Sequence, residues 1–221
     1  APDYKHNSKL YTSFYNTLSS QNKEVTYPEV GQEYEFGEGS FTVLGPTQIR
    51  DDSNNNSVVV RLDYGDTSFL FTGDAESKEE KDIIAANEDL YCDVLSVGHH
   101  GSASSTSWDF LEAVLPEYAV ISCGVNNSYG HPDPDTIEKL ESIEAQIFRT
   151  DLQGNIIAIS DGETITWNNV PSNGEVLYAA DFVSVKEEPN DTSSTVGELG
   201  PGNQIQVLNR NDNDWATIVL S

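Results

Sequence analysis

Between residues 67 and 149 the sequence alternates apolar runs with helical segments, and this alternation restricts the possible folds more than any other feature. The apolar runs that we interpret as strands lie at 68–71, 93–97, 118–122 and 146–149. The intervening segments that we interpret as helices lie at 77–86, with a Ser cap, at 107–114 and at 132–145. Strands joined through helices pair in parallel, with right-handed crossovers. The pattern predicts an α/β domain with a mixed sheet.

The segments before and after this region have different patterns. Residues 1–24 have helical character, and the runs at 34–44 and 58–71 each predict a hairpin. Short strands are also predicted at 155–160 and 164–167. A polar stretch at 168–174 then has the composition of a linker. Beyond it, five short strand-like runs separated by polar turns predict a small all-β barrel. We therefore expect one domain at 1–170 and a second at 174–221.

An acidic residue and three histidines follow the predicted strands. Asp74 follows the run that ends at Phe71, His99 and His100 follow the run at 93–97, and His131 comes after the run at 118–122. Successive parallel strands end at one edge of a sheet, so these side chains can converge on one crevice. Carboxylate oxygen and imidazole nitrogen are typical ligands of Zn²⁺ or Mn²⁺. The sequence thus predicts a metal-dependent site at this edge.

Simpler interpretations of these residues remain open. In these interpretations Asp74 has no role beyond capping the following helix, and each histidine only stabilises the turn in which it lies. A serine nucleophile is disfavoured, because the chain has no G-x-S-x-G sequence between a strand and a helix. Three residues near the histidines are candidates for substrate contact: Ser102, Asn127 and Tyr129.

Net charge and cysteine spacing exclude other possibilities. The formal net charge is −26, from 37 acidic and 11 basic residues. Such a chain repels polyanions, which disfavours sequence-independent binding of long nucleic acids and favours a small phosphoester. No run approaches the ~20 apolar residues of a membrane-spanning helix. If the runs that contain Cys92 and Cys123 are neighbouring parallel strands, the thiols lie roughly 17 Å apart, too far for a disulfide.

Several segments taken together resemble the metallo-β-lactamase-fold domain of ComEC-type competence proteins. The resemblance covers roughly residues 5–167 and rests on FTGDAE at 71–76, DVLSVGHHGS at 93–102 and NSYGHP at 127–132. It implies an αββα sandwich with two divalent metal ions, Zn or Mn. It also implies that Asp74 bridges the metals, that His131 is a metal ligand, and that His99 and His100 contact substrate or act as acid. Which of that pair is catalytic is open, and one of them could ligate instead.

The sequence departs from this family at two places. An H-x-H-x-D-H-type motif does not occur in the 221 residues, and we expect it upstream of Ala1. This chain alone should then bind metal poorly and be almost inactive. Asn54, Asn55 and Asn56 stand where many members of the superfamily have a further histidine, which weakens or alters that metal position.

The last part of the chain contains FVSVK at 182–186, TVGEL at 195–199, GNQIQVL at 202–208 and DWA at 214–216. With these segments, residues from about 174 resemble a bacterial SH3-like domain, which implies binding of cell-wall peptide and an extracellular or wall-associated location. The leading hypothesis is a metal-dependent hydrolase, such as a phosphodiesterase, a nuclease-like enzyme or a phosphorylcholine-esterase-like enzyme on wall polymers. The alternative is an inactive member of the fold that acts through its SH3-like domain. A lactonase or another C–O or C–N hydrolase would use the same metals.

Overall fold

The computed structural model describes residues 2–87, 89–173, 176–188, 190, 192–210 and 215–219. The chain forms two compact units, residues 1–168 and 169–221. None of the described helices is long and apolar enough to cross a membrane.

The first unit is built on a mixed sheet of seven strands in sequential order. Its strands are β1 (Glu33–Phe36), β2 (Gly39–Gly45), β3 (Val59–Tyr64), β4 (Thr67–Phe71), β5 (Val94–Ser96), β6 (Tyr118–Ile121) and β7 (Gln146–Arg149). Pairing is antiparallel from β1 to β4 and parallel from β4 to β7. The predicted mixed α/β fold is confirmed, and β4, β5 and β6 end at the same edge.

Among the described residues of the first unit, five α-helices accompany the sheet. They are α1 (Lys9–Ser20), α2 (Ser77–Ala86), α3 (Trp108–Val114), α4 (Pro134–Ser142) and the single turn α5 (Thr150–Gln153). Ile83 of α2, Phe110 of α3 and Leu140 of α4 are fully buried and belong to the core cluster that also contains Leu70 and Leu95 of the sheet. Alternate strand positions face this core because side chains in a strand alternate between its two faces.

The opposite face of the sheet borders an apolar cavity of about 600 Å³. Phe69 and Phe71 of β4 and Val94 of β5 line it, one position out of phase with the core residues. The hairpin β8 (Ala158–Ser160) and β9 (Ile165–Trp167) covers part of this face, where the Trp167 ring stacks on Phe148 at a centroid distance of 4.2 Å.

Two helix starts differ from prediction. The helix expected at 132–145 spans Pro134–Ser142, because Asp133 caps it by accepting from the Asp135 N–H, and Glu144 adopts φ 61° beyond its end. Ser77 begins α2 as its first residue rather than its cap. The Asn55 side chain accepts from the Glu79 N–H, and the Ser104 carbonyl accepts from the Ser77 N–H. Groups distant in sequence thus replace the predicted local cap.

The second unit consists of short antiparallel strands. They are β10 (Val176–Tyr178), β11 (Val183–Lys186), β12 (Thr195–Leu199), β13 (Gln204–Arg210) and β14 (Ala216–Val219). One sheet has the order β10-β13-β14, and the other pairs β11 with β12. The five predicted strands of this part are confirmed. Cys92 and Cys123 of the first unit are both free thiols, as predicted.

Glu79, fully buried on α2, makes the stability of the first unit depend on pH. Its Oε2 accepts from the Ser57 N–H at 3.3 Å, and its Oε1 has no hydrogen-bond partner among the described residues. Burial raises the pKa of Glu79 from 4.5 to about 8. Below about pH 8 the folded protein keeps the Glu79 proton, whereas the unfolded chain, in which Glu79 has its ordinary lower pKa, releases it. The stability therefore falls between about pH 5 and pH 8 and then levels off.

We expect Glu79→Gln, which mimics the protonated acid, to be more stable than wild type at pH 8 by on the order of 2 kcal/mol. The variant should also lose most of the pH slope. The measurement is the urea midpoint at pH 5, 6, 7 and 8, with the exposed Glu112→Gln on α3 as control. If Glu79→Gln kept the wild-type slope, the carboxylate would be ionised inside the fold.

Candidate functional site

The predicted site residues lie in three loops at the carboxyl edge of the parallel strands. Asp74 follows β4, His99 and His100 follow β5, and His131 lies in the loop after β6. The His99 ring lies 6.2 Å from that of His100 and 5.7 Å from that of His131, measured between centroids. Asp74 Oδ1 lies 3.9 Å from His100 Nε2. The structure therefore brings all four predicted residues into one group.

The turn that carries the two histidines has an unusual backbone. His99 has φ 49° and ψ 44°, and His100 has φ 59° and ψ 22°. Both lie in the left-handed region, which costs roughly 1–2 kcal/mol for a residue with a Cβ atom. Two successive residues of this kind, followed by Gly101 at φ 83°, form a strained turn of the sort that concentrates at functional sites.

Backbone hydrogen bonds connect the three loops. The His99 N–H donates to the Gly73 carbonyl at 2.9 Å, and the Asp133 N–H donates to the Gly101 carbonyl at 2.8 Å. The Asp74 N–H donates to Ser57 Oγ at 3.1 Å. The positions of the site residues are thus fixed by bonds between loops as well as by the strands.

The orientation of the His100 ring follows from one contact. His100 Nδ1 lies 2.7 Å from the carbonyl oxygen of Ser122. A carbonyl only accepts, so Nδ1 carries a hydrogen. In the neutral ring Nε2 then presents its lone pair towards the Asp74 carboxylate. Two groups that lack a hydrogen and face one another at 3.9 Å are suited to sharing a cation, and a histidine that ligates a metal commonly has its other nitrogen bonded in this way.

His131 lies in a loop that Asn127 holds together. The Asn127 side chain donates to the carbonyls of Gly124 and His131 and accepts from the N–H groups of Tyr129 and His131. Asn127 therefore fixes the loop through both of its side-chain atoms. The Tyr129 ring is 82% exposed and stacks on His131 at 5.8 Å and 12°. Tyr129 therefore presents an open aromatic face beside the histidines.

Glu76, which was not among the predicted site residues, is an acid beside His99. Glu76 Oε1 lies 3.6 Å from His99 Nδ1. Its carboxylate also accepts from Asn54 at 3.3 Å and Asn55 at 3.1 Å. The only sequence signal was an acid two residues after Asp74, and this pattern is equally typical of an ordinary helix start.

The asparagine run has a structural role in this arrangement. Asn55 and Asn56 are buried, and Asn56 exchanges two hydrogen bonds of 2.7 Å with the Arg50 backbone. Asn55 contacts Asp52, Glu76 and the Glu79 N–H. Asn55 and Asn56 therefore hold the loop at 50–56 in place, and Asn55 also binds the Glu76 carboxylate beside His99.

The serines near His99 do not form a nucleophilic triad with it. Ser104 Oγ donates to Glu76 Oε1 at 3.1 Å and lies 3.5 Å from His99 Nδ1. The hydroxyl and the carboxylate thus meet the same ring nitrogen, whereas a triad places them on opposite nitrogens. Ser102 Oγ lies 3.0 Å from Ser104 Oγ and extends this hydrogen-bonded group.

The donor set fits part of a metal site. Asp74 Oδ1 and His100 Nε2 can both reach one ion, because two bonds of about 2 Å span up to about 4 Å. Within the described residues, no three groups from His, Cys, Asp and Glu form a set able to hold a metal. Asp74 and His100 thus offer two coordination positions, and a complete site needs further ligands.

Comparison with known proteins shows the family of this chain. The family model described as the metallo-beta-lactamase superfamily matches residues 2–125, more than half of the chain. The chain belongs to the metallo-beta-lactamase superfamily. The family match includes Asp74, His99 and His100, whereas His131 lies beyond its end.

Three curated relatives are similar to part of this superfamily member. The ComE operon protein 3 of Bacillus subtilis is 38% identical over 117 residues, which are 52% of this chain and 15% of that protein. The competence protein ComA of Neisseria gonorrhoeae is 38% identical over 125 residues, 56% of this chain and 18% of that protein. Recombination protein 2 of Haemophilus influenzae is 36% identical over 133 residues, which are 59% of this chain and 16% of that protein. The chain thus spans less than a fifth of each relative's length. The expected relationship to ComEC-type proteins is confirmed for the hydrolase-fold part.

Gly101 permits the close approach of two of the site loops. A Cβ atom on Gly101 would lie 2.6 Å from Pro132 Cβ, and its φ of 83° already disfavours a side chain. Gly31 has nearly the same φ, 82°, with nothing within 4 Å of the added Cβ atom. The two glycines therefore separate the effect of crowding from that of backbone strain.

We expect Gly31→Ala to destabilise the first unit by about 1 kcal/mol and Gly101→Ala by at least about twice that amount. Urea unfolding of both variants measures the difference. Equal destabilisation would show that the Gly101–Pro132 approach relaxes without cost.

Proposed function

We propose that this chain is part of a metal-dependent hydrolase that cleaves phosphodiester bonds. The observation that carries the proposal is the convergence of Asp74, His99, His100 and His131 at one sheet edge, with Asp74 Oδ1 3.9 Å from His100 Nε2. Superfamily membership supports a hydrolase fold. The strained turn at the two histidines supports a functional rather than a structural role for them.

The residues have distinct roles in this proposal. Asp74 and His100 would hold a divalent cation, Zn or Mn, and a second cation would need ligands beyond these residues. When bound, the metal polarises the phosphoryl oxygen and lowers the pKa of a bound water. His99 is directed at the substrate and exchanges a proton with it. The family resemblance implies that His131 is the metal ligand. We assign this role to His100 instead, because His100 faces Asp74.

His131, Tyr129 and Ser102 contact the substrate in this scheme. Tyr129 offers an exposed ring against which an apolar or aromatic substituent of the phosphoester can lie. Asn127 acts indirectly, by holding the loop that presents His131 and Tyr129.

Two observations favour different phosphodiesters. The names of two relatives refer to competence and to recombination, which favours a nucleic acid. The net charge of −26 favours a small ester or a short strand end over long duplex contact. We therefore propose a substrate that engages the site through one phosphodiester at a time.

The test compares two substrates with the intact polypeptide that carries this chain. We expect Mn²⁺- or Zn²⁺-dependent hydrolysis of bis-p-nitrophenyl phosphate and of a single-stranded oligonucleotide, abolished by EDTA and restored by the metal. Asp74→Asn should lower kcat/KM by at least about a hundredfold. Hydrolysis that survives both EDTA and Asp74→Asn would exclude the proposal, and cleavage of a lactone alone would indicate another hydrolase class.

Metal content separates the roles of the histidines. In the same polypeptide we expect Asp74→Ala and His100→Ala each to weaken metal binding by at least about tenfold. His131→Ala should keep its metal, because no described contact joins it to Asp74. Mass spectrometry of bound metal after dialysis measures this. Loss of metal in Asp74→Ala and His131→Ala, but not in His100→Ala, would restore the ligand set implied by resemblance.

The second unit supports a separate proposal, namely that it is an SH3-like module that binds cell-wall peptide outside the cytoplasm. Five short strands in two antiparallel sheets are compatible with such a module. Sedimentation of the full chain with purified peptidoglycan tests this. Retention of the chain ending at residue 168 would assign any binding to the first unit instead.

A further inference from the structure

The Glu76 carboxylate does not cap the helix at whose start it lies. Glu76 occupies the cap position of α2, yet its side chain makes no cap hydrogen bond. Instead Oε1 accepts from Asn54 at 3.3 Å and from the Ser104 hydroxyl at 3.1 Å, and Oε2 accepts from Asn55 at 3.1 Å. Three donors from two loops therefore fix the carboxylate beside His99.

The donors and acceptors around His99 favour one tautomer of the neutral ring. A carboxylate only accepts, and the Ser104 hydroxyl gives its hydrogen to Glu76. Ser104 Oγ, 3.5 Å from His99 Nδ1, and Glu76 Oε1, 3.6 Å away, can therefore only accept from that nitrogen. Nδ1 carries the hydrogen, and Nε2 keeps its lone pair.

The network also resists displacement. Asn55 is fully buried, and its amide group bridges Glu76 and Asp52 while its oxygen accepts from the Glu79 N–H of α2. The backbone of His99 is held in its left-handed conformation by the bond from its N–H to the Gly73 carbonyl. Because the groups that bind the Glu76 carboxylate are themselves held by further hydrogen bonds, the carboxylate has a fixed position relative to the His99 ring.

We infer that Glu76, through Ser104, is the positioning residue that sets the tautomer and ring orientation of His99, so that Nε2 faces the substrate with a free lone pair. The inference rests on the proposed function only where it assigns His99 to substrate chemistry. The contact set itself is independent of any activity. It assigns Asn54 and Asn55 to supporting Glu76 in place of metal ligation.

The test reads the tautomer directly. In a ¹⁵N-labelled sample of this chain at pH 8.5, above the ordinary imidazole pKa, long-range ¹H–¹⁵N spectra distinguish a protonated Nδ1 from a protonated Nε2. We expect wild-type His99 to carry its hydrogen on Nδ1. In Glu76→Gln, whose amide group can donate to the ring, the ratio of the two tautomers should shift towards Nε2–H by about tenfold.

Two further variants make the result specific. Ser104→Ala removes the bridging hydroxyl and should shift the same ratio in the same direction by a smaller factor. Asp82→Asn, on α2 but paired with Arg50, controls for general loosening of the helix and should leave His99 unchanged. An unchanged ratio in folded Glu76→Gln would overturn the inference, as would an equal shift in Asp82→Asn.

Kinetics on the intact polypeptide complete the test. With the phosphodiester substrate we expect Glu76→Gln to lower kcat by about tenfold with KM nearly unchanged, because the ring remains but its lone pair is misdirected. A tautomer shift in a polypeptide with no hydrolytic activity would support the positioning role and reject the proposed function. A shift without change in kcat would overturn the link to catalysis.

Discussion

The parallel pairing of β4, β5 and β6 is the constraint on which the site depends. The pairs Phe71–Ser96 and Ser96–Val120 align the ends of the three strands, so the loops that follow them emerge at one edge. Helices α2 and α3 return the chain to the opposite edge between strands. Their apolar residues, such as Ile83 and Phe110, pack into the core beneath the sheet. The position of Asp74 relative to the histidines is therefore determined by the buried core as much as by the loops.

The strained turn at 98–101 positions the two histidines at a cost in stability. Left-handed backbone at His99 and His100 is unfavourable, and it persists because neighbouring elements hold both ends of the turn. Bonds to Gly73 and from Asp133, together with the absence of a side chain on Gly101, supply this restraint. The result is that two adjacent imidazoles face different partners, with His100 towards Asp74 and His99 towards Glu76.

Buried acids behind the site make a second contribution. Burial raises the pKa of both Glu79 and Glu80. Glu80 accepts from the Ser107 N–H at 3.0 Å, and Glu79 accepts from the Ser57 N–H. These bonds attach α2 to the loops that carry the site, although burying the acids lowers stability at neutral pH. Acidic residues of this chain are thus not confined to its surface.

The elements of the fold could be predicted from local pattern. Helix α2 and the hairpin of β3 and β4 occur where periodicity and turn residues place them, and the convergence of Asp74, His99 and His131 follows from parallel strand order. The start of α4 could not be placed as accurately, because the cap formed by Asp133 competes with the continuing helical pattern. The asparagine run was equally ambiguous, because its partners Arg50, Glu76 and Glu79 become visible only when the chain is folded.

The sequence by itself determined the α/β class, the positions of the strands and the four residues that meet at the sheet edge. Only the tertiary structure decided which ring nitrogen of His99 and of His100 faces an acid, and which acid each of them meets. Those properties depend on the Ser122 carbonyl, 22 residues from His100, and on Glu76, 23 residues from His99. Hydrogen-bond direction is set by atoms brought together through folding, and a linear pattern of residue types carries no record of it.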